Sequence, residues 1–283
     1  MLGPKIEALS DDHPSKTQCL ESLAWLLHSV GNRLERKRIL THTLKLRREW
    51  GDDHGIARTL VILSDTNRVM GFREEGIRQA EEGSEIFERV GETANQARGL
   101  ISLSLLLHDD SQLNAAEEAA SRAIDLLPEK GEQYRVCLGH RALGGIYLSK
   151  GDEEKAIHHL EAAIEIASSL NLDNQLFWLH YALSGLFSEE GRFNDAHAQL
   201  ERAKSHAAND VYNLARASLL QAEFWNKQRM FEEAKFEALC ALRVFEKLGA
   251  TNDVKYIGEL LGQIDSNARG NGSNYTQRIC WQW

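Results

Sequence analysis

The chain has 283 residues, 42% of them hydrophobic, enough for a large core, and a net charge of −9. An acidic balance argues against nucleic acid as the main partner. No apolar run is long enough to span a membrane, and the start MLGPKIEALSDDH lacks the apolar core of a secretory signal. Cys19, Cys137, Cys240 and Cys280 are scattered without C-x-x-C spacing, which reads as small buried thiols in a reducing, cytoplasmic compartment.

Taken in order, residues 1–12 are polar and predict a frayed start. A first helical hairpin is expected over 13–50, with Leu23, Ala24 and Leu27 on its first helix. Its second helix, RLERKRILTHTLKLRREW, holds seven basic residues and two acidic ones, and has Arg36 and Thr43 where alanines recur elsewhere. That face reads either as the solvated outside of a terminal repeat or as a docking face for an acidic partner or a domain missing from this chain. A second hairpin is expected over 52–90, where Gly76 and Gly83 replace packing alanines and Asn67 replaces a tyrosine. Glycine inside a helix costs about 0.5–1 kcal/mol relative to alanine, so this helix is expected to be weak unless tight packing compensates. The third, over 92–130, carries Ala116, Ala120 and Ala123, then Pro128. The fourth spans 132–170, the fifth 172–208 with Ala196, Leu200 and Ala203, and the sixth 210–248 with Ala234, Ala238 and Ala241. Residues 251–265 predict a capping helix, and the tail from 266 to 283 predicts disorder. That tail holds two sequons, at Asn271 and Asn274, which matter only in a secreted protein.

Two ladders unify these hairpins. Gly31, Gly71, Ser111, Gly151 and Gly191 recur every 40 residues at the turns inside hairpins. Gly51, Gly91, Gly131, Asn171, Asn209 and Gly249 mark the joints between them. Gly and Asn take the left-handed conformation that ends helices most cheaply. The fold class read from this is all-α, an α-solenoid of six antiparallel hairpins with a C-terminal cap. Within 143–163, LGGIYLSKGDEEKAIHHLEAA, the residues Leu143, Gly144, Tyr147, Gly151, Asp152, Ala156, Leu160 and Ala163 resemble the tetratricopeptide repeat signature at every position. The 40-residue period exceeds the standard repeat of about 34, so each helix is expected to be longer by most of a turn. A solenoid is one elongated unit, which overrides a length-based count of globular domains.

No catalytic, cofactor or metal constellation stands out. There is no Gly-Lys dipeptide for a P-loop and no His-Glu pair for a zinc helix. His158 and His159 are consecutive, about 100° apart on a helix, which suits a shared metal poorly. His140 and His180 share a register and read either as a pH switch or, more simply, as hydrogen-bonded core histidines. Acidic first turns such as Asp152-Glu153-Glu154 offset a helix dipole without a catalytic role. The sequence therefore reads as a non-enzyme.

The tetratricopeptide resemblance implies that first helices line a concave groove. Aligned on their small residues, the inward positions include Arg58, Arg68, Arg98 and Arg141, a basic strip inside an acidic molecule, with Asp65 among them. Trp178 and Tyr181 form an expected aromatic platform beside Arg216, and Gly145 and Gly185 are expected to leave room above the backbone. Arginine and large aromatics dominate interface energetics, so the expected partner is a protein or peptide, acidic or aromatic-containing. The competing expectation is that Arg58 or Arg98 pairs with nearby acids. Tetratricopeptide co-chaperones that clamp a chaperone's C-terminal carboxylate use a Lys and an Asn one turn apart. The equivalent pairs here, among them Val61/Asp65, Ile101/Leu105 and Arg141/Gly145, do not fit.

A finer resemblance covers residues 15–265. GNRLERKRILTHTLKLRREWGDDHGIARTLVILSDTNRVMG, AAEEAASRAIDLLPEKGEQYRVCLGHRALG and EGRFNDAHAQLERAKSHA are similar to the C-terminal repeat regions of fungal NLR-like proteins, which place a NACHT or NB-ARC nucleotide-binding domain before the array. This implies a sensing arm whose partners include its own upstream nucleotide-binding domain, and a chain that is a truncated part of a larger protein. The alternative is structural: self-assembly or intramolecular packing without a groove ligand.

Overall fold

A computed structural model of the protein describes residues 15–29, 31–128, 131–207 and 210–270. Thirteen α-helices and no strand occur among them: α1 Lys16–Ser29, α2 Arg33–Trp50, α3 Asp53–Met70, α4 Arg73–Arg89, α5 Thr93–Asp109, α6 Leu113–Asp125, α7 Gln133–Lys150, α8 Glu153–Ser169, α9 Asp173–Glu189, α10 Phe193–Ala207, α11 Val211–Lys227, α12 Phe231–Leu248 and α13 Thr251–Ala268. The expected frayed residues 1–12, Asn209, both sequons and Cys280 lie outside the described residues. Most helices run to 17 or 18 residues, the added length that the 40-residue period predicts.

The turn ladders work as their residue types require. Ser111 and Asn171 hold positive φ along with the ladder glycines, from Gly31 to Gly249. Arg229 does so too, at φ 63°, a position the glycine pattern conceals because the repeat step there is 38 residues. At most turns the backbone closes the helix with a reach-back hydrogen bond. Phe72 N–H donates to Asn67 O at 2.9 Å, Arg192 N–H to Phe187 O at 2.8 Å, and Met230 N–H to Trp225 O at 2.8 Å. Neighbouring helices joined by such tight turns run antiparallel.

Two compact units divide the chain, 1–151 and 152–283. The segment 143–163 falls across that boundary, α7 ending the first unit and α8 opening the second. In the first unit each helix packs on the next from α1 to α7, and α3, α5 and α7 also pack on one another. In the second, successive helices from α8 to α13 pack likewise, and α9, α11 and α13 form the equivalent row. Among the described residues, α2, α4 and α6 meet each other only through side chains, as where Arg122 of α6 pairs with Glu88 of α4 at 2.8 Å. From α3 onward the helices opening the hairpins thus form a row inside each unit.

Small residues set the spacing. Ala116, Ala120 and Ala123 on α6, and Ala234, Ala238 and Ala241 on α12, are buried to 1% exposure or less and let backbones approach. In α4 the approach is closer still. A Cβ on Gly76 would lie 2.7 Å from Leu106 Cδ2 and 3.3 Å from Ser64 O, and one on Gly83 would lie 3.0 Å from Val61 Cγ2. The expected local weakness therefore coincides with close packing, in which an added methyl at Gly76 would have to move Leu106. Thr43 is buried and its hydroxyl donates to Ile39 O at 2.9 Å, so it satisfies itself in an alanine position. Asn67, in the tyrosine position, is fully buried and donates to Gln79 at 2.8 Å.

The basic α2 is not a bare cationic face. Lys37 pairs with Glu75 at 2.8 Å and Arg48 with Glu82 at 2.6 Å, both acids on α4. Arg47 is buried and donates to Glu21, Gly55 O and Thr59. At the far end, Ile257, Leu260 and Ile264 of α13 bury against a cluster holding Ala241 and Phe245, as a cap does. The cap is longer than expected, continuing through Ser266, Asn267 and Ala268. Side chains hold that last turn: Lys235 pairs with Asp265 at 2.8 Å and Asn267 donates to Asn226 at 3.1 Å.

Candidate inner-face site

The opening helices α3, α5, α7, α9, α11 and α13 begin after Asp52, Glu92, Glu132, Leu172, Asp210 and Ala250. Counting from those residues puts every inner-face position in a common register. The sixth place holds Arg58, Arg98, Leu138, Trp178, Arg216 and Tyr256. The third holds Gly55, Asn95, Arg135, Gln175, Asn213 and Asp253.

In the second unit this register closes on itself. Arg216 donates to Asp253 at 3.0 Å, from the sixth place of α11 to the third place of α13. Its side chain is 16% exposed. The guanidinium carbon lies 5.7 Å from the Tyr181 ring centre and 6.0 Å from that of Trp178. Tyr181 stacks on Phe177 at 5.9 Å and is itself buried. Burial pushes its hydroxyl up to about 12. Of the expected platform, Trp178 is half-buried and Tyr181 belongs to the packing beneath. Gly185, and Gly145 in the first unit, are buried, so neither opens space over the backbone. Below Arg216, Tyr256 donates to Glu223 at 2.7 Å. Burial raises the Glu223 carboxyl to about 7, against the opposing pull of the Tyr256 hydrogen bond, Lys227 and Arg216. His180 faces Gln199 at 2.7 Å and stacks on His206 at 5.8 Å, and its burial lowers its pKa. It is a hydrogen-bonded core histidine.

The first unit differs. Arg68 pairs with Asp109 at 3.2 Å. Burial opposes ionisation of Asp109, but hydrogen bonds from His108 and Arg68 and the Arg68 charge leave its pKa lowered. Arg141 is half-buried, and burial followed by the nearby Arg68 charge lowers its pKa. Arg58 and Arg98 remain 53% and 48% exposed. Arg58 stands 3.7 Å from Glu21, which already accepts from Arg47 at 2.8 Å. Arg98 stands 3.9 Å from Asp65. The expected pairing with nearby acids is thus present but long in both cases.

Between the first turns of α3, α5 and α7 lies a pocket of about 300 Å³, lined by His54, Arg58, Val61, Phe87, Asn95, Arg98 and Arg135. His54, Asn95 and Arg135 were not among the sequence candidates. The signal was available in the 40-residue step from Asn95 to Arg135, one place in the register. Phe87 and Val61 make a buried apolar floor. Glu92 at its edge accepts from Asn95 at 2.5 Å and lies 2.6 Å from His54 Nδ1, contacts that lower its pKa. Glu132 is paired with Arg135.

Among the described residues, no group of three or more His, Cys, Asp or Glu converges on a metal position. No helix there is long and apolar enough to cross a membrane. Cys137 is buried, which pushes its thiol up to about 11, so it is poorly suited to act as a nucleophile.

Residues 136–208 match the family model described as tetratricopeptide repeat. A protein of Arabidopsis thaliana named kinesin light chain-related 3 is 22% identical over 214 residues, 70% of this chain. The chain spans only 32% of that relative's length. Among solved structures, a Rap protein complexed with Competence and Sporulation Factor is similar, with TM-score 0.71 at 13% identity over 96% of this chain and 80% of that one. The APC/C hetero-tetramer Cut9–Hcn1 is similar with TM-score 0.68 at 14% identity, over 93% of this chain and 45% of that one. These likenesses establish the helical-repeat fold, and the tetratricopeptide reading is supported over residues 136–208.

Proposed function

We propose that the chain is a non-enzymatic protein-interaction scaffold that holds an extended peptide segment along the inner faces of its opening helices. One observation carries this. The inner row of the first unit is walled by half-exposed guanidiniums, Arg58 and Arg98, held only by long ion pairs at 3.7 and 3.9 Å, whereas Arg216 in the same register place is largely buried and hydrogen-bonded. Asp65, Arg68 and Arg141 complete the proposed face in the first unit; in the second unit Trp178 is proposed on its own inner row, with Tyr181 and Arg216 as its framework. Proteins of similar fold support the reading, since one was crystallised with Competence and Sporulation Factor and another as a hetero-tetramer. Panning displayed random peptides against the intact chain tests it, with an Arg98→Glu/Trp178→Ala variant of equal helicity as control. Peptides retained by the first and lost by the second are expected. No enrichment, or equal retention, would sink the groove.

The finer proposal, an arm of an NLR-like protein, rests on the sequence resemblance alone. Sequencing the transcript upstream tests it: a P-loop in frame is expected, and an upstream stop codon rejects it. A structural role is the second reading, favoured by Trp25, Leu34 and Phe236, which stand exposed. Sedimentation across a concentration series decides this one. Self-association abolished by Trp25→Ser would favour it.

A further inference from the structure

We infer that the pocket between α3, α5 and α7 is a binding site for an anionic oxygen group, a carboxylate or a phosphate, carried by a peptide partner. The register supplies the reason. In the second unit the arginine in the sixth place of α11 meets the third place of α13, and in the first unit the residues of the same two register places line one pocket. For Arg216 that place holds Asp253, and the pair closes at 3.0 Å. For Arg58 it holds Asn95, and for Arg98 it holds Arg135. The first unit therefore repeats the cation and omits the anion, at two successive positions, and both positions open on one cavity.

The nearby carboxylates do not make up the deficit. Glu21 is taken by Arg47, Glu92 by His54 and Asn95, and Glu132 by Arg135. Asp65 is the remaining one, at 3.9 Å from Arg98. Among the described residues neither Arg58 nor Arg98 makes a hydrogen bond, so their planar donor forks are unspent. Such forks match carboxylate and phosphate oxygens in a bidentate manner. A volume of about 300 Å³ over the apolar floor of Phe87 and Val61 admits one side chain with its acidic head. The peptide origin of the anion rests on the groove reading; the pocket does not, and small anions probe it separately.

The test follows the arginine Nε–H signals of the full chain by NMR. The probes are inorganic pyrophosphate and, in a second titration, glutarate, both at fixed ionic strength. Saturable shifts at Arg58 and Arg98, with Arg216 unmoved, are expected for at least one probe. Pyrophosphate alone would assign a phosphorylated side chain, glutarate alone an acidic one. Arg98→Gln is expected to weaken binding at Arg58 at least tenfold, and Arg135→Asp, which supplies the missing carboxylate, to abolish it. Both variants must keep wild-type helicity. Non-saturable shifts, shifts spread over all arginines, or unchanged affinity in Arg135→Asp would overturn the inference. A failed titration beside successful peptide panning would remove the pocket and leave the groove.

Discussion

Arg216 and the pair Arg58/Arg98 occupy the same register place, yet they live in different chemistry. Arg216 sits among Tyr181, Trp178 and Asp253 and is mostly withdrawn from water. Arg58 and Arg98 are half-exposed and held only by long ion pairs. A buried charge is tolerable only when paired and hydrogen-bonded, so the second unit must carry Asp253. A half-exposed one is satisfied by water and adds at most about 1 kcal/mol when paired, so the first unit is free to leave its anion out. The comparison teaches that a repeated residue type does not repeat a role. The residue one helix further on decides whether an arginine holds the array together or faces outward.

The sharpest way to break this contrast is to remove the acids. Asp253→Ala strands a largely buried guanidinium and is expected to cost about 2–3 kcal/mol in urea unfolding, whereas Asp65→Ala costs under about 1 kcal/mol. Equal losses would mean that both units use their arginines alike. Next comes the pH dependence of the buried cluster under Arg216. Unfolded, Glu223 ionises near the ordinary carboxylate value; folded, it keeps its proton up to about 7. The folded chain thus binds more protons inside that window. The contribution of Glu223 is most favourable below the window and is lost as pH rises through it. Glu223→Gln should therefore match the wild type in stability at pH 4 and exceed it at pH 8, by on the order of 2–3 kcal/mol. A pH-independent difference between the two would remove the buried carboxyl from the account.

Smaller effects separate packing from surface within the first unit. Gly76→Ala gains about 0.5–1 kcal/mol of helix propensity but forces Leu106 aside, at a cost of about 1–3 kcal/mol. A net loss of about 1–2 kcal/mol in thermal melting is expected, and a gain would show that α4 yields. Arg135→Asp exchanges one half-solvated arrangement for another and is expected to shift stability by less than about 1 kcal/mol. Its effect belongs to anion binding.

Several elements were legible because local chemistry enforces them. The ladder from Gly31 to Gly249 announces the helix ends, since a left-handed residue favours Gly or Asn. The residue type departs from Gly or Asn at Ser111 and Arg229, where ordinary side chains hold φ 62° and 63°. The alanines of α6, α10 and α12 announce close backbones. The inner row was legible as a list of positions, which is why Arg58, Arg98 and Trp178 could be named. Their state was not. Whether Tyr181 projects or packs depends on Phe177 and Arg216, 35 residues further along. Asn95 and Arg135 gained meaning only when set beside arginines on the preceding opening helix.

The sequence alone determined an all-helical repeat array, its period and its turns, because these follow from interactions within a few residues of the chain. Tertiary structure alone decided which inner charges are neutralised, which aromatics are buried and where a cavity remains. Those outcomes depend on distance and desolvation between helices 40 residues apart, and neither is written in local order.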